Sequence, residues 1–459
     1  MDGSSNLIIA PNFNGVPNLE KLVLARCSNL RKLHPSVGKL KKLKLLDLEE
    51  CQELTSLPNK FEMESLVTLN LSCCLNVKKI PEFAENMRHL PKLNFYGIAI
   101  TELPSSVECL TSLRILMLAL CKNLVSLPNT ICSLTSLMDI NLSGCSKFDK
   151  LPEDLGNITS LKKLNLSETA IEELPSSVEF FIGLTLLNLN FCKNFVLLPS
   201  TICSLKSLES IYLWRCSKFD KLPRDLGNIT SLKELGLSRT AIKELPSSIE
   251  FLIGLTSLDL TDCKNFVLLP STVCNLKSLE IMCLFRCPKF VNLPENFGNP
   301  KHLELLNFEG TAIEVLPSVR RLAALKILIL KDCKNLVCLP STICNLKRVQ
   351  YLDLTGCSKI ANLLENLGNM ESLTHLLLGG TAIKELPFST IHLKWVYIVS
   401  FKVCQLSSSS LTSMPSITSA GLIDLSDCNL SAIQVVLSAS FRQFQAVLTA
   451  ERGFCVIYL

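Results

Sequence analysis

No strong charge of either sign marks this chain. Its 46 lysines and arginines face 41 aspartates and glutamates, a formal net charge of +5 over 459 residues with the two signs interspersed. That footprint is too weak to imply nucleic acid or an anionic membrane surface as partner. Long apolar runs are missing as well. The nearest approach, Ile391 to Leu406, is broken by Lys394 and Lys402, whereas a membrane span needs about 18 or more consecutive apolar residues. Met1 to Gly15 has neither a basic start nor an apolar core, so it does not read as a secretory signal. Apolar residues are plentiful overall, at 48% against 19% charged, which excludes disorder of the whole chain.

Catalytic signatures are also lacking. There is no GxxxxGK[ST] phosphate loop, no strand-led GxGxxG, no GxSxG elbow and no HExxH. His34, His89, His302, His375 and His392 stand at unrelated places, so no histidine-based catalytic set or zinc site is suggested. The expectation is a protein without enzymatic activity, metal or cofactor. Triplets such as Asn157-Ile158-Thr159 match the glycosylation pattern, but with no signal peptide they are discounted.

What is present is a repeat. LxxLxLxxC occurs at Leu184-Leu187-Leu189-Cys192 and again at Leu255-Leu258-Leu260-Cys263. First leucines fall at Leu161, Leu184, Leu208, Leu232, Leu255, Leu279 and Leu303, in steps of 23 or 24. This is the leucine-rich repeat period. About sixteen units of 22–24 residues span 19–393. The fold class expected is α/β, a leucine-rich repeat solenoid or horseshoe. A parallel β-sheet lines its concave face and short helices or irregular turns its convex face. Residues 1–18 read as a truncated partial repeat, because Ser5-Asn6-Leu7 resembles Ser28-Asn29-Leu30. A degenerate stretch covers 394–430, with a weak unit at Leu422-Leu425-Cys428, and 431–459 is a non-repeat tail.

Alternation within LxLx points Leu187 and Leu189 inward and Asn188 and Asn190 outward. Each buried leucine contributes about 1.5–3 kcal/mol, but only against a neighbouring coil. The 22 cysteines lose their mystery in this frame. Cys27, Cys51, Cys74, Cys121, Cys145, Cys192, Cys216, Cys263, Cys287, Cys333 and Cys357 all close the strand segment at the ninth position. Thr169, Thr240, Thr311 and Thr381 fill the same slot elsewhere, which no disulfide or metal scheme tolerates. The cysteines therefore read as small buried hydrophobes.

Units are also grouped in blocks of 71 residues. Residues 137–207 and their copy 208–278 differ at 18 positions, and 11 of these fall among the twelve outward positions of the strand segments (third, fifth, seventh and eighth of each unit). Convex residues Ser200, Thr201 and Lys206 match Ser271, Thr272 and Lys277. Drift alone would have changed both faces, so the pattern reads as diversification for binding. Aromatics make up only 6% of the chain, which makes an outward group of them conspicuous. Phe191, Tyr212, Trp214, Arg215, Arg239, Asp262, Phe285 and Arg286 are the predicted partner-binding residues. Trp, Tyr and Arg dominate protein–protein hot spots.

The strings LEKLVLARCSNLRKLHPSVGKLKKL, LTSLDLTDCKNFVLLPSTVCNLKSL and TAIKELPSSI resemble the repeat region of plant intracellular immune receptors with TIR and NB-ARC domains. The resemblance covers about Leu7 to Leu430. It implies a cytoplasmic or nuclear sensor. Its repeats would bind a pathogen effector or a guarded host protein, and restrain the NB-ARC nucleotide switch. TIR and NB-ARC signatures are absent from this chain, so nucleotide binding is expected only of those domains. The half-repeat start favours a fragment of a longer receptor. An alternative is a free-standing intracellular scaffold that assembles signalling proteins.

Overall fold

The computed structural model describes residues 2–297, 300–384, 386–393 and 396, together with the backbone of strands at 398–400, 422–424, 447–448 and 456–458. The predicted segment 394–430 and tail 431–459 thus lie largely outside the described residues. Two compact units divide the chain, Met1–Leu232 and Lys233–Leu459. Both are built from the same coil.

In the first unit, three-residue strands recur once per coil, among them Asp139–Asn141, Lys163–Asn165, Leu186–Asn188 and Ser210–Tyr212. They pair in parallel and in register, Leu164 opposite Leu187 and Leu187 opposite Ile211. The middle residue of each strand and the leucine two places on are fully buried, so Leu187 and Leu189 point inward as expected. Pairing continues weakly on the far side of the coil, where Ser126 bridges Lys150 and Glu173 bridges Leu197. A proline two residues later, as at Pro199, ends the ladder because it has no N–H to give. At the start of the unit Ile9 bridges Lys32 in parallel.

The second unit repeats this plan with strands Glu234–Gly236, Ser257–Asp259, Ile281–Cys283, Leu305–Asn307, Ile327–Ile329, Tyr351–Asp353 and His375–Leu377. Strands Ile398–Ser400 and Leu422–Asp424 continue the parallel order. Val456–Tyr458 then pairs antiparallel with Leu422–Asp424.

Among the described residues, helical content on the far side is confined to 3-10 turns of three or five residues, such as Ser176–Phe180, Ser200–Ser204 and Ser271–Asn275. Each five-residue turn here follows a proline held extended, for example Pro199 at φ −63° and ψ 146°. These turns are closed by i to i−3 bonds, from the Val178 N–H to the Pro175 carbonyl and from the Ile202 N–H to the Pro199 carbonyl.

Beneath the sheet runs a ladder of thiols. Cys192 Sγ donates to the Leu166 carbonyl at 3.0 Å and Cys216 Sγ to that of Leu189 at 3.0 Å, each reaching the coil before. Cys263 and Cys287 do the same to Leu237 and Leu260. Where threonine fills the slot, Thr169 Oγ1 donates to the Leu166 carbonyl of its own coil at 2.6 Å. All described cysteines are free. Three residues beyond the cysteine a second spine appears that the repeat pattern alone did not announce. Phe195 and Phe219 stack at 5.9 Å in the first unit, as do Phe266 and Phe290 in the second. The recurring CKNF, CSKF and CPKF strings were its signal.

The turn between strand and cysteine depends on the eighth residue. Glu168, Phe191 and Arg215 have φ of 59°, 62° and 62°; Arg239, Asp262 and Arg286 have 58°, 58° and 57°. Other coils place glycine there, as at Gly144 and Gly310. This left-handed conformation costs an L-residue about 1–2 kcal/mol and is worst for β-branched side chains. From Arg26 to Gly380 no valine, isoleucine or threonine occupies the position.

Two outcomes follow. Glu168→Val is expected to lower the urea midpoint by an amount equivalent to about 1–2 kcal/mol, while Glu168→Gly leaves it nearly unchanged. Burial pushes the Cys51 thiol from 9.0 up to about 12, and those of Cys263 and Cys333 to about 11. Because the unfolded chain ionises first, stability is intact below pH 9.0 and falls between there and about 12. Each such thiol removes about 1.4 kcal/mol per pH unit between 9.0 and its own raised value, about 11 for Cys263 and Cys333 and about 12 for Cys51. Circular dichroism during alkaline titration should therefore show cooperative unfolding soon above pH 9, and replacing ladder cysteines by alanine should move the midpoint upward.

Candidate strand-face site

Outward residues of the strands do two different jobs. At the fifth position an Asn or Asp folds its side chain back onto the N–H two residues on: Asn141 Oδ1 accepts from Ser143 at 3.0 Å and Asn188 Oδ1 from Asn190 at 3.0 Å. In the second unit Asp259 accepts from Thr261 at 2.9 Å and Asn307 from Glu309 at 2.9 Å. These side chains hold the turn, as such residues do in Asx-turns. Part of what sequence comparison assigned to the binding face is thus occupied with local structure.

In the first unit three coils depart from this rule, with Val23, Met117 and Tyr212 at the fifth position, and the last of them lies in the predicted partner-binding group. Tyr212 stands where Asn141 and Asn188 stand, and a phenol cannot fold back in the same way. The Trp214 N–H is satisfied instead by Asn190 Oδ1 of the preceding coil at 2.8 Å. Trp214 lies edge-on to Phe191, ring centroids 4.6 Å apart and planes at 63°, a favoured aromatic geometry. The Arg215 guanidinium sits 5.3 Å from the Phe191 ring centre and 5.5 Å from that of Trp214. Trp214 nonetheless remains 39% exposed. Phe191, Tyr212, Trp214 and Arg215 thus form one group in this unit, with three of the side chains locked against one another.

Arg239, Asp262, Phe285 and Arg286 belong to the second unit. Arg239 Nε meets Asp262 Oδ2 at 3.0 Å, and Lys264 Nζ meets Oδ1 at 2.9 Å. Asp262 is only 8% exposed. Burial works to raise its pKa, but the hydrogen bonds from Lys264 and Arg239 outweigh it and hold the carboxyl below the ordinary carboxylate range. Both carboxylate oxygens of Asp262 are therefore engaged, which makes it a clamp between coils more than a contact offered to a partner. Lys264 was not among the sequence candidates; a lysine recurs at this place in the CKN strings, and within the second unit's group it meets an aspartate at the turn two residues before. The Arg286 guanidinium lies 4.6 Å from the ring centre of its own neighbour Phe285. Among the described residues no group of three or more His, Cys, Asp or Glu is placed to hold a metal. No described helix is long and apolar enough to cross a membrane.

A leucine-rich repeat region family matches residues 140–235 and 212–310. TMV resistance protein N of Nicotiana glutinosa is 39% identical over 57% of this chain and 23% of its own length. Disease resistance protein RPS6 of Arabidopsis thaliana is 33% identical over 58% of this chain and 20% of its own length. The chain thus spans about a fifth of the length of these relatives. Among solved structures, a Leptospira interrogans LRR protein superposes with TM-score 0.61 at 21% identity, covering 92% of this chain and 96% of its own. The functional domain of InlJ from Listeria monocytogenes, described as including a cysteine ladder, gives 0.55 at 22%, covering 74% and 69%. These likenesses establish the leucine-rich repeat solenoid, and the sequence is similar to the repeat region of plant TIR–NB-ARC–LRR disease-resistance proteins.

Asp262→Asn should cost about 1 kcal/mol at neutral pH by weakening both ion pairs while keeping shape. Since Asp262 titrates below its ordinary 3.8, its stabilisation is present above that pH and lost below it. The gap in unfolding midpoint between wild type and variant should therefore close as pH drops below about 4.

Proposed function

We propose that the chain is the protein-recognition module of a plant intracellular immune receptor, acting in the cytoplasm or nucleus by binding, not catalysis. Its strand face docks a pathogen effector or a guarded host protein. In the full receptor the same solenoid restrains the NB-ARC switch, so that ligand binding is coupled to release. Relatedness to disease-resistance proteins supports the defence setting.

The observation that carries the reading is Trp214. An indole left 39% exposed lies on the face that differs most between two otherwise matching blocks. Phe191 and Arg215 already hold it in place. A large side chain already packed against its neighbours before binding has less conformational entropy to lose on contact. It contributes area, and Arg215 contributes donors, the combination found at interface hot spots.

Tyr212→Ala combined with Trp214→Ala should weaken binding to whichever purified effector or host protein the wild-type chain captures by about 10- to 100-fold or more, with the unfolding midpoint little changed. Biolayer interferometry of both proteins against that ligand is the measurement. Equal affinities would remove this cluster as the anchor.

A further inference from the structure

The second unit contains a recess of about 810 Å³ on the side of the coils that leads into the strands. Lys277, Lys301, His302 and Arg321 line it, with Asn275 and Ala323 among the other contributors. Asn275 is fixed there by its bond to Glu250 Oε2 at 2.8 Å. The volume lies in the range of small-molecule sites.

Its origin is visible in the internal duplication. Coil Leu303–Ala324 has 22 residues where its sister coils Leu161–Gly183 and Leu232–Gly254 have 23, the difference being one serine of LPSS. Those sisters carry 3-10 turns Ser176–Phe180 and Ser247–Phe251, but residues 317–321 form none. The change that removed the turn came with a change of charge. Arg320 and Arg321 stand where the sisters have Glu179-Phe180 and Glu250-Phe251, and Lys301-His302 where they have Thr159-Ser160 and Thr230-Ser231. Three of the four replacements, with Lys277, converge on the one recess.

We propose that this recess binds a small ligand bearing two or more phosphate groups. Clustered lysine, arginine and imidazole donors match phosphate oxygens in charge and hydrogen bonding, and the three formal positive charges of Lys277, Lys301 and Arg321 exceed what a single phosphate dianion balances. The ligand is either a soluble polyphosphorylated molecule or the headgroup of a phosphorylated lipid. Recognition here is separate from the strand-face reading: the recess residues precede the strands, whereas Trp214 and its neighbours follow one.

Sister coils supply a mild test variant, Lys301→Thr with His302→Ser and Arg321→Phe, whose residues are already compatible with the repeat. Calorimetric titration of the full chain with inorganic tripolyphosphate at moderate salt should give saturable binding, weakened at least tenfold in the triple variant and unchanged in Tyr212→Ala/Trp214→Ala. Equal binding by the triple variant, or binding no tighter than that of sulfate, would overturn the proposal. Circular dichroism melting establishes that the variant is folded; should it not be, Lys301→Thr alone is read against the same tenfold criterion scaled to one lost cation, a loss of at least twofold. Co-sedimentation with vesicles containing phosphatidylinositol 4,5-bisphosphate separates the sources: pelleting that tripolyphosphate reverses identifies a lipid headgroup, and tripolyphosphate binding without pelleting identifies a soluble ligand.

Discussion

Each coil turns on a single residue held at φ near +60°, from Arg26 at 57° onward. That left-handed step ends the strand and swings the ninth residue inward, where its thiol finds a carbonyl of the coil before. Without it the cysteine side chain would continue the strand's alternation instead of entering the core. The strain is borne once per coil and is repaid by burial of the leucines on either side. Reduced cysteine suits the slot because it is small, apolar and still able to donate weakly. Threonine suits it only by turning its hydroxyl to its own coil, as Thr169, Thr240 and Thr311 do.

Because the turn is covalent geometry repeated, variation is pushed to the few side chains it does not use. Position five is spoken for wherever Asn or Asp caps the turn, and position eight excludes β-branched residues. The exchange of a capping Asn for Tyr212 therefore carries a cost, met by Asn190 from the neighbouring coil. Val23 and Met117 lack the capping oxygen at the same position, so the exchange is not by itself a mark of function; what distinguishes this coil is the aromatic group around Trp214. Asp262 shows the opposite case. It differs between copies just as Phe191 does, yet its oxygens are taken up by Arg239 and Lys264. Sequence variability alone does not separate an anchor from a clamp.

Much of the fold was legible from periodicity. The strand residues, the inward leucines, the buried cysteines and the far-side turns such as Ser200–Ser204 follow from letter spacing, since a repeat that cannot bury its own apolar face has one way to do so. The candidate site was legible only in part. Outward placement of Trp214 follows from alternation and that of Phe191 from its place at the left-handed turn, but their edge-on contact and the guanidinium near both rings do not. Lys264 was overlooked for a related reason: the lysine of the CKN string recurs in every such coil, but its reach to Asp262 depends on the residue at the turn.

What the sequence by itself determined is the coil: its period, its core positions and which residues change between copies. These are properties of near neighbours along the chain and repeat with it. Tertiary structure alone decided the partnerships between coils, which depend on rotamers and distances across a gap of some 23 residues. It decided that Asn190 completes the Trp214 turn, that Asp262 is closed off by two cations, and that a coil one serine short leaves a basic recess. A linear pattern records which side chains share a face; which of them find one another is set by packing in three dimensions.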